Sequence, residues 1–285
     1  MWIICNLNKP YDLSHFQRAA KRLNVDLQII DPQQMQIISD EHINLFYQGR
    51  PIAAPDYLLN WNGCMNGMLE QQIEASLNQA GTVICNSLSE INHWQDKFRW
   101  QVETSLKTVK SLKLHSSNLL ASLDLIERNF KYPLIVKSDT GSLGLGVYQA
   151  SDTNNLKQIF ELISLLDTNF KIHIEEFIDY DHDLRMYVIG NDYYLMERVA
   201  TDDFRANVAR EALCKAYPKT ELTEQIFNQV RTEYNAVTFG VDILLTDTDY
   251  YLCEINSAPG FTGIEQVNDI DIAEEIIKAT MGFKK

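Results

Sequence analysis

Three oxygen-bearing side chains near the C-terminal end have the types and spacing of a divalent-cation site. Asp242 interrupts an apolar run at 240–245, and Glu254 and Asn256 stand two residues apart in a second such run. Side chains in a strand alternate between faces, so Glu254 and Asn256 share one face. Carboxylate and amide oxygens suit Mg²⁺ or Mn²⁺. The alternative is that these residues are solvated acids on a half-exposed hairpin. Asp and Asn are rare in strands, which argues against that alternative.

The segment between the two runs decides whether these donors converge. Residues 246–249, TDTD, have turn composition, so the runs are predicted to pair as a hairpin. A three-residue loop places Asp242 directly opposite Glu254. A two-residue loop shifts the pairing by one residue and turns Asp242 to the other face. The sequence leaves both arrangements open.

A glycine-rich loop forms the second chemically suggestive stretch, LIVKSDTGSLGLGVYQA at 134–150. A predicted strand ends at Lys137, and Gly141, Gly144 and Gly146 follow before the next strand. The spacing matches neither the dinucleotide-binding fingerprint nor the Walker loop. It is similar to the flap that protein kinases fold over ATP phosphates, where glycines let backbone N–H groups approach closely. Lys137 would add a point charge. A flexible turn is the alternative.

Four arginines lie close together in and after two apolar strands at 183–190 and 192–200, which the pair Gly190-Asn191 predicts to be a hairpin. They are Arg185, Arg198, Arg205 and Arg210. An arginine in a buried strand needs an anion, either a protein carboxylate or a ligand. Ion pairs explain one such residue, whereas four beside a phosphate-type loop indicate anion handling.

The elements that would position these groups begin with an alternation of strands and helices. Strands are predicted at 2–5, 25–31, 43–49, 57–61 and 82–86, with helices at 14–23 and 69–79 and a C-cap at Gly81. This alternation indicates an open α/β sheet with parallel strands. Ligands of such sheets bind at the carboxyl ends of strands, here near asparagines at 6–8 and 60–66. Ordinary loop chemistry is the simpler explanation for each asparagine.

The later elements predict two further subdomains. Ser89 is predicted to cap a helix with Ile91, Trp94, Phe98 and Val102 on one face, where Lys97 reads locally as a solvated residue. Helices at 156–166, 223–234 and 271–280 and a strand at 170–179 follow. The predicted domains are 1–88, 89–176 and 177–285.

Composition limits the function classes. The chain has 285 residues, 45% hydrophobic content and a net charge of −14, which predicts a globular protein without a nucleic-acid-binding surface. The five cysteines, at 5, 64, 85, 214 and 253, show no metal spacing and are interpreted as thiols in a reducing cytoplasm. The N-terminus reads as a strand, and no apolar run reaches the length of a membrane span.

Taken together, the motifs resemble the ATP-grasp superfamily and most closely its RimK-type carboxylate–amine (glutamate) ligases. The resemblance is dense over 93–280. The matching stretches are DK (96–97), PLIVK (133–137), GSLGLGV (141–147), EEFI (175–178), DLR (183–185), ER (197–198), DFRAN (203–207), GVDIL (240–244), EINSAPG (254–260) and GIE (263–265). It implies an α/β fold, α+β in its C-terminal part, in which an N-terminal parallel-sheet domain precedes two subdomains that clasp ATP.

The resemblance also implies a role for each matching position. On the nucleotide side it implies Lys97, Lys137, the flap residues Gly141, Ser142, Gly144 and Gly146, the hinge residues Glu176 and Phe177, and Asp183, Arg205 and Asn207. It implies that Arg185, Arg198 and Arg210 are catalytic cations. It implies that Asp242, Glu254 and Asn256 hold two Mg²⁺ or Mn²⁺ ions.

The expected activity is ATP-dependent formation of a peptide or isopeptide bond through an acyl phosphate, adding an amino acid such as glutamate to a peptide, protein or small acceptor. The alternatives are a small-molecule kinase, a macrocyclising peptide ligase and a binding module without turnover. A cytoplasmic homo-oligomer, dimer or tetramer, without nucleic-acid or membrane partners is expected by analogy. Departures at 60–62, 210–212 and 261–262 lie where the acceptor is expected and argue against the ribosomal-protein substrate of the RimK type.

Overall fold

The computed structural model describes residues 1–5, 10–39, 43–61, 67–138, 146–166, 171–199 and 213–283. Within these ranges the chain forms four β-sheets with helices packed on or between them. None of the helices in this part of the chain combines the length and apolar character needed to cross a bilayer. The described cysteines, Cys5, Cys85, Cys214 and Cys253, form no disulfide bond, and position 64 lies outside the described residues.

The first sheet is parallel, as the alternation of elements predicts. Its strands are β1 (Trp2–Ile4), β2 (Gln28–Ile30), β6 (Tyr57–Asn60) and β7 (Val83–Cys85), in the order β2-β1-β6-β7. Helices α1 (Pro10–Leu23) and α2 (Met68–Gln79) connect them. Fully buried branched side chains, among them Ile3, Leu58 and Leu59, explain why these short strands lie inside the molecule. Gly81 follows α2 with φ +89°, in agreement with the predicted C-cap.

The strand predicted at 43–49 does not belong to this parallel sheet. Strand β4 (Ile43–Tyr47) pairs antiparallel with β3 (Met35–Ser39) and with β5 (Arg50–Pro51) in a separate three-stranded sheet. The turn after β4 lies at Gln48 and Gly49, both at positive φ. Two consecutive residues with positive φ make a tight hairpin turn, which forces antiparallel pairing.

The helix predicted after residue 89 is two helices, and its cap is a different serine. Helix α3 (Leu88–Gln95) begins at Ser87, whose hydroxyl accepts from the Glu90 N–H while Glu90 reaches back to Ser87. This reciprocal arrangement is a capping box, and it outcompetes Ser89 as the cap. Asp96 ends α3 and caps α4 (Lys97–Glu103) by accepting from the N–H groups of Phe98 and Arg99. The predicted single apolar face is therefore interrupted.

The second large sheet is antiparallel and has one apolar and one polar face. Its strands are β8 (Ser111–His115), β9 (Leu134–Ser138), β10 (Val147–Ala150) and β11 (Lys171–Glu176), in the order β10-β9-β11-β8. Val136, Ile172 and Ile174 pack against α5 (Leu123–Asn129) and α6 (Thr153–Leu166). Because side chains alternate, Lys137 and Glu175 lie on the opposite face.

The third large sheet carries most of the candidate site. Its strands are β12 (His182–Ile189), β13 (Asp192–Val199), β14 (Leu213–Ala216), β15 (Thr238–Leu245) and β16 (Tyr250–Asn256), in the order β14-β13-β12-β15-β16. Helices α7 (Glu221–Glu233), α8 (Thr262–Asn268) and α9 (Ile272–Gly282) complete this part. Helix α8 is absent from the sequence prediction. Gly263 lets it approach β13, since a Cβ there would lie 3.2 Å from the Met196 sulfur.

One apolar cluster joins the N-terminal sheet to the C-terminal sheet. Ile3, Phe16 and Trp61 pack in the same cluster as Phe261 and Ile277. The ring centroid of Trp61 lies 5.3 Å from that of Phe16 and 6.1 Å from that of Phe261. Each large sheet lies within one of the three segments 1–88, 89–176 and 177–285. The division into domains stays a prediction, because this cluster unites the first segment with the third.

Replacing Trp61 with Ala is expected to lower the free energy of unfolding by about 3–5 kcal/mol, because it removes a large aromatic side chain from a filled core. Trp61 is 1% exposed and also donates from Nε1 to Asp12 at 3.4 Å. Urea denaturation followed by far-ultraviolet circular dichroism measures the loss. Trp61→Phe, which leaves a smaller cavity, should lose clearly less. Equal losses for the two variants would contradict the packing explanation.

Candidate active site

The hairpin of β15 and β16 does place Asp242 opposite Glu254, but by a route that the sequence did not predict. Next to the turn, the Thr246 N–H donates to the Asp249 carbonyl at 2.9 Å, and Leu245 pairs with Tyr250. This is the register of a two-residue loop, which on its own would set Cys253 opposite Asp242.

A register shift inside the hairpin corrects the pairing. Between Ile243 and Asp242 the ladder slips by one residue, so that Asp242 pairs with Glu254 and Gly240 pairs with Asn256. An extra residue in one strand is a β-bulge, a feature common next to active sites. The bulge thus puts Asp242, Glu254 and Asn256 on one face of the hairpin, and their role as metal ligands stays a prediction.

One buried arginine, Arg198, and one half-buried arginine, Arg185, are held by two buried aspartates across three neighbouring strands. Arg185 donates from Nε and Nη2 to the two carboxylate oxygens of Asp242, each at 2.8 Å. Arg198 donates from Nη1 to Asp242 at 3.0 Å and from Nε to Asp183 at 3.0 Å. The strand register makes Arg185 and Asp242 direct neighbours, and likewise Asp183 and Arg198. The anions that these two arginines were expected to need are therefore protein carboxylates.

Burial and ion pairing oppose each other at the two aspartates. Burial raises the pKa of Asp183 to about 6, even though Arg198 acts in the opposite direction. At Asp242 burial also raises the pKa, but Arg185 and Arg198 together outweigh burial and hold the pKa well below its ordinary value. Asp242 is therefore a firm carboxylate at neutral pH, whereas Asp183 titrates close to it.

Helix α4 brings Lys97 to the hairpin of β15 and β16. Phe98 packs edge-on against His173 of β11 with ring centroids 5.7 Å apart, and Asp96 accepts from Lys113 of β8 at 2.9 Å. These contacts seat the first turn of α4 on the polar face of the second large sheet. The Lys97 ammonium then lies 3.4 Å from the Glu254 carboxylate, so Lys97 is not the solvated residue that its local sequence suggests.

Lys137 lies on the same polar face and is paired with Glu175. Its ammonium is 2.5 Å from the Glu175 carboxylate, and both side chains are largely buried. Burial lowers the pKa of Lys137, but the neighbouring Glu175, Cys253 and Glu254 raise the pKa by more, and the net shift is upward. Lys137 is therefore a permanent cation.

Glu175 was not among the predicted site residues, although a charged residue in an apolar strand was a usable signal.

The predicted hinge residues, Glu176 and Phe177, follow directly after Glu175 at the end of β11. The Glu176 N–H already donates to the Lys110 carbonyl at 3.1 Å, and its carboxylate lies 3.5 Å from the Lys110 ammonium. The adenine contact expected of Glu176 and Phe177 stays a prediction, and the Glu176 N–H is already engaged.

The donor set fits a metal ion that is shared with a ligand. Among the residues that the structure describes, no three His, Cys, Asp or Glu side chains lie close enough to hold a metal ion by themselves. The Nδ2 atom of Asn256 is buried and has no hydrogen-bond partner in the same part of the chain. A half-turn of that amide would present oxygen instead of nitrogen. Mg²⁺ commonly takes one or two carboxylates and completes its shell with substrate phosphates.

Several predicted site residues lie outside the described residues, and their roles stay predictions: Gly141, Ser142, Gly144, Arg205, Asn207 and Arg210. Gly146 is described and enters β10 with φ +75°, a backbone conformation that favours glycine.

Of the positions that depart from the RimK pattern and that the structure describes, three are core residues and Thr262 is exposed. Asn60, Trp61 and Phe261 are each at most 1% exposed. The Asn60 amide donates to Glu74 at 2.8 Å and to the Asn86 carbonyl at 2.9 Å. These three buried side chains can influence an acceptor only through packing. The expectation that the departing positions lie on the acceptor side stays a prediction.

The sequence of this chain matches one protein-family model and is similar to named proteins of other organisms. The family model for the RimK-like ATP-grasp domain matches residues 103–280. The protein named "Probable alpha-L-glutamate ligase" from Haemophilus influenzae (strain PittEE) is 26% identical over 291 residues, spanning 96% of each chain.

Solved structures share the fold along nearly the whole chain. The ATP-grasp ligase PsnB, complexed with a minimal precursor, superposes with a TM-score of 0.73 at 17% identity, over 99% of this chain and 98% of PsnB. The macrocyclase MdnC from Microcystis aeruginosa MRC, bound with the precursor peptide MdnA, gives 0.69 at 14% identity, over 99% of this chain and 100% of MdnC.

Proposed function

Because this chain belongs to the RimK-like ATP-grasp family, it is a carboxylate–amine ligase, and we propose that it adds glutamate to a peptide or protein acceptor. The observation that carries the proposal is the meeting of two lysines with the acidic hairpin. Lys97 lies 3.4 Å from Glu254, and Lys137 is close enough to Glu254 for that carboxylate to raise its pKa. Cations beside oxygen donors are what a triphosphate with its metal ions needs.

The reaction has two steps. A carboxylate oxygen of the acid attacks the γ-phosphorus of ATP, the bond to the bridging oxygen breaks, and ADP leaves. The acceptor amine then attacks the carbonyl carbon of the acyl phosphate, the carbon–oxygen bond to phosphate breaks, and the amine loses a proton. The products are an amide, ADP and inorganic phosphate.

The chain's own residues favour the first step by electrostatics. A carboxylate and a triphosphate repel each other, so cations must offset that repulsion before the reacting atoms can meet. Lys97 and Lys137 hold the phosphates in the proposal, and Arg198 faces the transferred group from β13. Asp242, Glu254 and Asn256 would hold Mg²⁺, which supplies further positive charge to the phosphate oxygens. The number of metal ions, two, is part of the proposal.

Two observations support glutamate and a peptidic acceptor. The Haemophilus influenzae relative carries the name of an alpha-L-glutamate ligase and aligns over 96% of this chain. PsnB and MdnC, which share the fold, are bound to a precursor or precursor peptide in their solved structures. The activation chemistry is indifferent to the acceptor's size, so the acceptor site decides between peptide, protein and small amine.

The test is a phosphate-release screen with ATP and Mg²⁺, in which amino acids and short peptides are supplied alone and in pairs. Phosphate is expected to appear only when an acceptor peptide and an amino acid are both present, with glutamate the preferred amino acid and an amide found by mass spectrometry. Sustained phosphate release with either substrate alone and no amide product would contradict the proposal. A stable phosphorylated product without free phosphate would instead indicate a small-molecule kinase.

A macrocyclising peptide ligase is the second candidate, favoured by the fold shared with MdnC over the full chain. The two candidates differ in product mass. Cyclisation removes one water from a single peptide, whereas ligation adds a glutamyl residue to the acceptor. Incubating a candidate precursor peptide with ATP, with and without glutamate, separates them.

A further inference from the structure

Asn86 occupies a strained and buried position where the N-terminal sheet ends. It lies between β7 and α3 with φ +55°, a left-handed backbone that Asn adopts more readily than most residues, and it is 1% exposed. A buried amide must satisfy its donors and its acceptor, or it costs about 1–3 kcal/mol. The contacts of this amide therefore indicate why it is there.

Among the residues that the structure describes, the side chain of Asn86 bonds only to backbone groups at the ends of β15 and β16. Its Oδ1 accepts from the Val237 N–H at 3.0 Å and from the Thr238 N–H at 3.2 Å. Its Nδ2 donates to the Thr238 carbonyl at 2.6 Å and to the Ser257 carbonyl at 3.4 Å. Two donors on one side and two acceptors on the other fix the orientation of the amide.

These four bonds hold one end of the hairpin of β15 and β16. Thr238 begins β15, and Ser257 directly follows Asn256, the last residue of β16. The turn after Asn256 is fixed at a second point, because the Tyr187 hydroxyl donates to the Pro259 carbonyl at 3.0 Å. One amide from the N-terminal sheet thus joins the two strand ends that carry the candidate metal ligands.

The Nδ2 atom of Asn256 has no hydrogen-bond partner in the described chain. Because that atom is not anchored, the backbone at 256–257 helps to set where the amide lies. A metal ligand must be held to within about 0.5 Å, and residues that orient a ligand typically contribute about 10–100-fold to metal affinity.

We propose that Asn86 is a positioning residue for the metal site: its amide holds the backbone after Asn256 so that the Asn256 oxygen can join Asp242 and Glu254. This inference rests on the proposed function, since it needs a metal at that hairpin. It adds a requirement that the metal ligands alone do not contain, namely that the N-terminal sheet be docked before the metal site is complete.

The experiment measures Mn²⁺ binding to the full chain in the presence of ADP, as the change that added protein causes in the electron paramagnetic resonance spectrum of an Mn²⁺–ADP mixture. Asn86→Gly keeps the left-handed backbone and removes the amide, and we expect it to weaken Mn²⁺ binding about 10–100-fold. Asn24→Gly is the matched control, because Asn24 is exposed and also left-handed, with φ +53°. Thr82→Ala, which removes a part-buried bond to the Pro55 carbonyl at the other end of β7, controls for general destabilisation. Both controls should bind Mn²⁺ like the unchanged protein.

A second variant keeps the test decisive if Asn86→Gly fails to fold. Tyr187→Phe removes only the hydroxyl that holds Pro259, and it should weaken Mn²⁺ binding in the same direction by a smaller factor. Unchanged Mn²⁺ affinity in a folded Asn86→Gly would overturn the inference. If Asn86→Gly does not fold, unchanged affinity in Tyr187→Phe would overturn it.

Glu254→Gln distinguishes a failure of the proposed metal site from a failure of the positioning role. If Glu254→Gln also binds Mn²⁺ normally, the proposed metal site itself is wrong. If it loses Mn²⁺ while the Asn86 variant does not, only the positioning role is wrong.

Discussion

Replacing Glu254 with Gln is expected to reduce ATP-dependent ligation by about 10³-fold, at the upper end for the loss of one electrostatic group in an active site. The substitution keeps the shape of the side chain and removes the negative charge that a divalent cation needs. Phosphate release and amide formation, measured at saturating ATP and Mg²⁺, give the loss in rate.

The same substitution should leave the fold almost unchanged. The Glu254 side chain is 38% exposed, and its pairing with Lys97 at 3.4 Å is a surface ion pair, worth at most about 1 kcal/mol. Glu197→Gln is a suitable control, because Glu197 lies three strands away from Glu254 in the sheet, on β13, and is bonded to His182 at 2.8 Å. The control should retain activity. Full activity in Glu254→Gln would remove this residue from the metal site.

Replacing Arg198 with Met is expected to lower the free energy of unfolding by about 3–5 kcal/mol at neutral pH. The guanidinium group is 8% exposed and bridges Asp183 and Asp242, which are each 6% exposed. Asp242 keeps Arg185, but Asp183 is left as a buried carboxylate without its arginine. Adding Asp183→Asn removes that charge and should recover a large part of the loss. Urea denaturation of the single and double variants measures both effects.

The penalty should depend on pH in a defined direction. Burial raises the pKa of Asp183 to about 6 with Arg198 in place, and the pKa is expected to rise further without that cation. A carboxyl group that binds its proton more tightly in the folded chain than in the unfolded chain stabilises the fold when protonated. The destabilisation by Arg198→Met should therefore shrink as the pH falls from about 8 to about 6. A penalty independent of pH over this range would contradict an unpaired buried Asp183.

Local sequence patterns predicted the elements that carry strong periodicity or strong turn chemistry. The parallel N-terminal strands, the hairpin at Gly190-Asn191 and helices α2, α6, α7 and α9 were all predicted to within a few residues at their ends. Burial in these elements follows a fixed period along the chain, so neighbouring residues contain the information. The strand at 43–49 was assigned to the wrong sheet, because pairing partners are a property of the whole chain.

The candidate site also separates what local sequence could predict from what depends on the whole chain. The residue types at Asp242, Glu254 and Asn256 indicated the chemistry, and the order of motifs indicated the family. The sequence could not predict that a bulge would offset a two-residue-loop register, since a slip of one residue costs little in local propensity but reverses every side chain. Cys253, the residue that the slip leaves over, has no distinguishing local signal.

By itself, then, the sequence determined which groups could hold a nucleotide and its metal ions, because side-chain chemistry is local. Only the tertiary structure decided which charges meet: Lys97 with Glu254, Lys137 with Glu175, and Arg198 with two aspartates from different strands. It also decided that Asn86, far away in the chain, supports the hairpin end. Such contacts depend on how sheets and helices pack, and the free energy of that packing is shared by residues too distant in sequence for any local pattern to encode.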